Sequence, residues 1–189
     1  MKKIYIEAGA NDGVFQSRSI HLSTNNDYYG ILIEPIPEMY RSCLLNRRLN
    51  TKIYNCALVD FGYTETTIPI NLHHIYTAMC SIIPHNTETY HRTINITART
   101  LDSILEENNI NHIDSFYLDV EGYEYNVLNG INFNKRIFNM IEIECHYNFL
   151  NLSKQAEEDK HVQYLEQYGY KLTSKNEQEG NTKLIFNYV

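Results

Sequence analysis

Nowhere do the 189 residues contain the roughly 20 consecutive apolar side chains that a membrane helix needs, so no membrane partner is expected. No Lys/Arg block stands out either. Formal net charge is −7, and the densest basic spot is Arg47-Arg48. Affinity for nucleic acid comes from clustered cations, which makes a nucleic-acid partner unexpected. The four cysteines, Cys43, Cys56, Cys80 and Cys145, show no C-x-x-C spacing. Reduced, mostly buried thiols in a cytoplasmic compartment are the expectation. The first strand-like run begins within three residues of Met1, which leaves no length for a signal peptide. A linker rich in Gly, Pro or Ser is missing, and so is any internal repeat. Residues 1–189 therefore read as one globular domain, long enough to bury about 70% of its unfolded surface.

Strand-like and helix-like runs alternate, the pattern of βαβ units on a largely parallel sheet. Short, nearly continuous apolar runs mark strands at 3–8, 29–34, 52–58, 115–120 and 138–146, as for strands covered on both faces. Helices fit at 14–24, 37–46, 101–108, 124–128 and 153–167, with Thr100 as an N-cap. Residues 169–173 and 183–188, separated by an Asn/Glu/Gly turn, read as a closing antiparallel hairpin. The stretch 60–97 breaks the alternation. It holds His73, His74, Met79, Ser81, Pro84, His85 and His91 without helical period. Insertions of this length form binding loops or lids. Strands or loops over a pocket mouth are one reading, and an edge hairpin without a ligand role is the other.

A strand, a glycine turn and a helix open the chain, the device by which an open α/β sheet makes a nucleoside pocket. In Glu7-x-Gly9-x-x-x-Gly13 the glycines permit positive φ and close backbone approach. The carboxylate of Glu7 would repel a pyrophosphate and attract a cation such as the amino end of S-adenosylmethionine. Glu34 ends the second strand about 20 residues later, where doubly wound folds place the acid that binds ribose hydroxyls; capping of the next helix is the alternative. Asn55-Cys56-Ala57 ends the third strand and serves either as an adenine wall or as packing.

The fourth strand ends in Leu118-Asp-Val-Glu-Gly-Tyr-Glu124. Asp119 and Glu121 point the same way if both stay in strand geometry, and two acids so placed call for a cation, a proton or a metal. Helix N-terminal placement suits Glu124 well, Glu121 partly and Asp119 not at all. The fifth strand ends in Ile141-Glu-Ile-Glu-Cys-His146, with Glu142, Glu144 and His146 alternating onto one face. His146 is the candidate base or ligand, against the reading of a hydrogen-bonded surface histidine.

Together these residues resemble the FkbM family of S-adenosylmethionine-dependent methyltransferases. The resemblance runs through Glu7-Ala-Gly-Ala-Asn-Asp-Gly13, Ile33-Glu-Pro-Ile-Pro-Glu38, Asn55-Cys-Ala-Leu58, Thr100-Leu-Asp-Ser-Ile-Leu105, Asp114 to Glu124, and Glu142-Ile-Glu144, with a late Gly169-Tyr170. It implies a class I, Rossmann-like, doubly wound α/β fold: a mostly parallel seven-stranded sheet with an antiparallel last strand. By the same resemblance Glu7, Gly9, Asn11 and Gly13 would cradle the methionine part and Glu34 the ribose. Asp119 would take the cofactor's amino end or a metal, while Glu121, Glu144 and His146 face the acceptor. Relatives often carry extra structure before the first strand. This sequence has almost none, which leaves room for a pocket wall from a second subunit or a neighbouring domain.

The expected reaction is methyl transfer to a hydroxyl of a sugar or glycan, the acceptor class implied by the resemblance. Either His146 removes the hydroxyl proton, or Asp119 and Glu144 hold magnesium or manganese that acidifies it. The 16 tyrosines could supply sugar-stacking platforms. A nicotinamide-dependent oxidoreductase would want G-x-G-x-x-G, whereas Ala10 and Asn11 follow Gly9 here and an acid sits at 7. A nucleic-acid methyltransferase would show a basic face and an aromatic Pro-Pro motif after the fourth strand, and Asp119-Val-Glu-Gly has neither. A non-catalytic interaction module has no need for the converging Glu7, Gly9, Gly13, Glu34 and Asp119.

Overall fold

The computed structural model describes residues 2–47, 49–73, 80–83, 90–146, 153–178 and 181–189. His74, Met79, Pro84, His85 and part of the last turn lie outside the described residues, as does the side chain of His91. Seven strands form the main sheet: β1 (Lys3–Ala8), β2 (Tyr28–Ile33), β3 (Thr51–Tyr54), β7 (His112–Leu118), β8 (Ile137–Cys145), β9 (Tyr170–Gln178) and β10 (Asn181–Tyr188). Their order is β3-β2-β1-β7-β8-β10-β9. The strands run parallel except β10, which is antiparallel to both neighbours. Strand order therefore reverses between β1 and β7, and a crevice opens beyond their carboxyl ends.

Period-two alternation assigns the two faces. Ile6, Ala8, Ile31, Phe116, Leu118, Ile141 and Ile143 bury one face against α3 (Leu101–Glu107), α4 (Glu124–Leu128) and α5 (Lys154–Glu166). On the opposite face Tyr5 and Leu32 pack on Cys43 of α2 (Pro37–Asn46), with Leu22 of α1 (Ile20–Ser23) beside them. Across β1, β7 and β8 that second face carries Glu7, Tyr117 and Glu142 in one row. β8 thus carries acids beyond Met140 on that face, unlike the apolar run expected of a strand covered on both faces. Among the described residues no helix is long and apolar enough to cross a membrane.

Two expected elements differ. The helix expected over 14–24 shrinks to Ile20–Ser23. Asp12 Oδ1 accepts the N–H of Val14 (2.9 Å) and of Phe15 (2.7 Å), and Gln16 then turns left-handed at φ 56°. The strand expected over 52–58 breaks at Asn55, whose amide donates to the carbonyls of Glu34 (2.9 Å) and Pro35 (2.8 Å). Beyond the break, β4 (Ala57–Leu58) joins a second sheet, in the order β4-β6-β5, with β5 (Thr67–His73) and β6 (Tyr90–Arg99). Among the described residues, the 60–97 insertion is largely this β5–β6 hairpin. It packs through Ile68, Ile70 and Ile96 on Ile36, Ala57 and Val59.

Candidate active site

A cleft lies beyond the carboxyl ends of β1, β2 and β7, with about 710 Å³ of empty space counted together with its open mouth. Gly9 and Asp119 meet at its centre. A Cβ on Gly9 would stand 1.8 Å from the Asp119 carbonyl oxygen, and Gly9 has φ +82°. Only glycine lets the two loops cross there. Glu7 is buried, and its carboxylate is well supplied by the chain itself. It accepts from Ser17 Oγ (2.8 Å), the Arg18 N–H (2.7 Å), Ser19 Oγ (2.5 Å) and the Arg47 guanidinium (3.4 Å). Those bonds pin residues 17–19 at the cleft wall. Glu34 accepts from the N–H of Asn11 (2.7 Å) and of Ile36 (2.8 Å), fixing the glycine loop and the start of α2. Burial pushes its carboxyl up to about 7 against the pull of those two bonds.

Across the cleft, β7 stops at Leu118, and Asp119 and Glu121 are brought together by a turn rather than by strand alternation. Glu121 sits at φ 55° and Gly122 at φ 93°. Glu124, the first residue of α4, fixes that turn by accepting from the N–H of Val120 (2.9 Å) and Gly122 (3.2 Å). The insertion reaches the same turn: Ser81, itself buried, donates from Oγ to the Glu121 carbonyl at 2.8 Å. His146, one residue past β8, has Nε2 3.1 Å from Asp119 Oδ1 and Nδ1 3.9 Å from Glu121 Oε2. Burial works to lower the His146 pKa. The Asp119 hydrogen bond and the Glu124 and Glu121 carboxylates outweigh it and hold the imidazole up at about 10. Burial, against the pull of His146, pushes Glu121 up to about 8. Burial with the nearby Asp119 charge takes Glu144 to about 7.

A family model for the methyltransferase FkbM domain matches residues 7–172. The chain belongs to the FkbM methyltransferase family. Among solved structures it is similar to an FkbM methyltransferase from Methylobacillus flagellatus KT, at TM-score 0.59 and 16% identity over 98% of this chain. It spans 43% of that protein's length. The fibrillarin–Nop5p complex matches at TM-score 0.58 and 8% identity, over 100% of this chain and 73% of the other. A precorrin-6y C5,15-methyltransferase from Geobacter metallireducens GS-15 matches at 0.51 and 10%, over 100% and 80%. At these identities the likeness establishes the fold, that of the class I S-adenosylmethionine-dependent methyltransferases. No curated protein matches the chain.

Within this FkbM domain Glu7, Gly9, Asn11, Glu34, Asp119 and Glu121 all line the cleft. Five residues expected there do not: Gly13, Asn55, Ala57, Glu144 and His146, the last of which sits behind Asp119 and Glu121 of the cleft wall. Gly13 faces α2, where a Cβ would meet Arg47 Cγ at 2.7 Å and Cys43 Sγ at 2.9 Å. Asn55 is spent on the 34–35 carbonyls, and Ala57 packs in the core of the small sheet. Glu144 sits behind Arg18, whose guanidinium spans Glu142 (3.5 Å) and Glu144 (3.2 Å). Arg18, Phe15, Ile36, Cys80 and Tyr117 line the cleft without having been expected to. An acid row on β8 signals that a cation must meet it, but which cation depends on long-range folding.

The residues present suit the cofactor that the fold implies. The missing Cβ at Gly9 leaves backbone open to close approach, and Glu34 keeps acceptor capacity on both oxygens at the end of β2. A resident divalent ion suits them poorly. Donor atoms of Asp119, Glu144 and His146 do lie within 4.8 Å of one another. Glu144, however, already meets Arg18, Lys183 at 3.7 Å and the Asn181 amide, while Asp119 holds His146. An ion would have to displace cations that the chain supplies itself, so no step is assigned to a metal.

Proposed function

We propose that this chain is an S-adenosylmethionine-dependent O-methyltransferase acting on a hydroxyl of a sugar or glycan. One observation carries the reading: Gly9, Glu34 and Asp119 converge on a cleft at the strand-order reversal of an FkbM methyltransferase domain. The acceptor class is carried over from the family resemblance. When bound, S-adenosylmethionine supplies an electrophilic methyl group. The protein's share is alignment and a proton acceptor. Glu34 receives the ribose hydroxyls, and the loop pinned by Glu7 closes the wall beside them. Asp119 accepts from His146 Nε2–H and fixes the ring, whose Nδ1 lies 3.9 Å from Glu121, and His146 is the group assigned to take the acceptor's proton.

In the ligand-free protein His146 is an imidazolium at neutral pH. It becomes a base only after losing that proton. A positive charge brought into the cleft favours the loss, because it destabilises the imidazolium and stabilises the neighbouring carboxylates. The acids thus keep His146 charged at rest and make its proton affinity sensitive to occupancy. Calorimetry is the test: S-adenosylhomocysteine is expected to bind and NAD is not, with a mass gain of one methyl on a glycan acceptor as confirmation. Binding of NAD without S-adenosylhomocysteine would sink the reading.

A further inference from the structure

A second groove lies between the first turns of α2 and the β5–β6 hairpin. Its floor is apolar, with Ile36, Leu72 and Ile94, and its rim carries Arg41, His73 and Arg92 together with one acid, Glu38. Ile36 also lines the cleft, so the two spaces adjoin. Arg92 pairs with Leu72 across the hairpin, and its guanidinium has no hydrogen-bond or ion-pair partner among the described residues. Arg41 reaches Glu38 at 3.7 Å, but both side chains are largely exposed (68% and 64%), and a pairing of that kind is worth little. Ile36 and Pro37 are the N-cap and first residue of α2, so the positive end of that ten-residue helix opens on the same groove. This rim is net positive in a chain of net charge −7, beside a cleft lined by Glu7, Glu34, Asp119 and Glu121.

We propose that the groove holds the anionic group of the methyl acceptor: a carboxylate or phosphate on a sugar. Arg41 and Arg92 grip it while its less polar ring face rests on Leu72 and Ile94. The hydroxyl to be methylated extends past Ile36 into the cleft. The cleft is lined by four acidic side chains and by Arg18, which is already taken up by Glu142 and Glu144; in the groove an acid group meets guanidinium forks suited to bidentate binding of either oxyanion. The assignment rests on the methyltransferase reading and narrows it to acidic acceptors.

Ligand-observed NMR on the full chain with S-adenosylhomocysteine present tests it, comparing methyl β-D-glucuronide, glucose 1-phosphate and methyl β-D-glucoside. At least one acidic sugar is expected to bind about tenfold tighter than the neutral one, and the tighter of the two tells carboxylate from phosphate. The preference should vanish in the doubly substituted Arg41→Gln, Arg92→Gln protein and shrink in high salt. Equal binding of all three sugars, no binding of any, or a preference that survives both substitutions overturns the proposal. Calorimetry with S-adenosylhomocysteine on the same samples separates the two claims. Its binding without an acid preference removes the groove assignment alone, whereas its failure to bind removes the methyltransferase reading.

Discussion

Glu7 is buried and Glu121 half-buried; both acids line the same cleft, and their surroundings are opposite. Glu7 has two serine hydroxyls, a backbone N–H and the buried Arg47 guanidinium on its two oxygens. Glu121 has the Ser81 hydroxyl on its carbonyl, but among the described residues its carboxyl has only His146, at 3.9 Å, as a nearby cation, with Asp119, Glu124 and Glu144 adding repulsion. An acid that recruits its own donors becomes scaffold. One without them keeps a strained protonation equilibrium that a ligand or a transferred proton can relieve.

The largest expected effect lies on the scaffold side. Glu7→Ala leaves Arg47 buried without its carboxylate and should cost about 3–5 kcal/mol in urea denaturation. A variant of wild-type stability would move Glu7 from scaffold to ligand contact. Next comes His146→Asn, expected to lower turnover by about a hundredfold or more while S-adenosylhomocysteine affinity stays near wild type. The wild-type kcat/KM should climb with pH from 7 towards 9, since the base must shed a proton held at about 10. Wild-type turnover in the variant, or a flat profile, removes His146 as the base.

The pH dependence of stability sharpens the contrast further. Glu34, Glu124 and Glu144 at about 7 and Glu121 at about 8 keep protons in the folded state that the unfolded chain releases near 4.5. Their contribution is complete below pH 4.5 and is lost as pH rises to about 8. His146, raised from 6.5 to about 10, extends that loss through pH 10. His161, buried and depressed to about 4, works the other way only below pH 6.5. Ligand-free protein should therefore melt about 3 °C or more lower at pH 8.5 than at pH 6, and Glu121→Gln should shrink the drop. A melting temperature that rises over this range contradicts the picture. The smallest effect is expected from exhaustive chelation, which should leave turnover unchanged; activity lost to EDTA and restored by manganese would return Asp119 and Glu144 to a metal.

Local signals carried much of this fold. β1 and the helices at Pro37 and Glu124 begin and end where the sequence pattern puts them, and Thr100 caps α3 by accepting the Ser103 N–H at 3.1 Å. Failures came where distant residues decide. Nothing between 14 and 24 reveals that Glu7 will capture residues 17–19, and nothing near 55 reveals that its amide will be drawn to the carbonyls after β2. The acids of the site were legible because carboxylates at strand ends are conspicuous. Their cations were not, since Arg18 and Arg47 lie in stretches with no pattern of their own and meet Glu144 and Glu7 only through the tertiary fold. A buried guanidinium in the densest basic spot of the sequence looks, before folding, like solvent-facing charge.

The crossing of Gly9 under the Asp119 carbonyl bears on how such a protein can diversify. Two main-chain segments touching with no room for a methyl group cannot drift apart by single substitutions, so donor-side architecture is frozen. The outer hairpin, fastened to that floor through the Ser81 hydroxyl, is free to exchange its groove-facing side chains. On the function proposed above, new acceptor preferences would arise there without disturbing the cleft floor beneath.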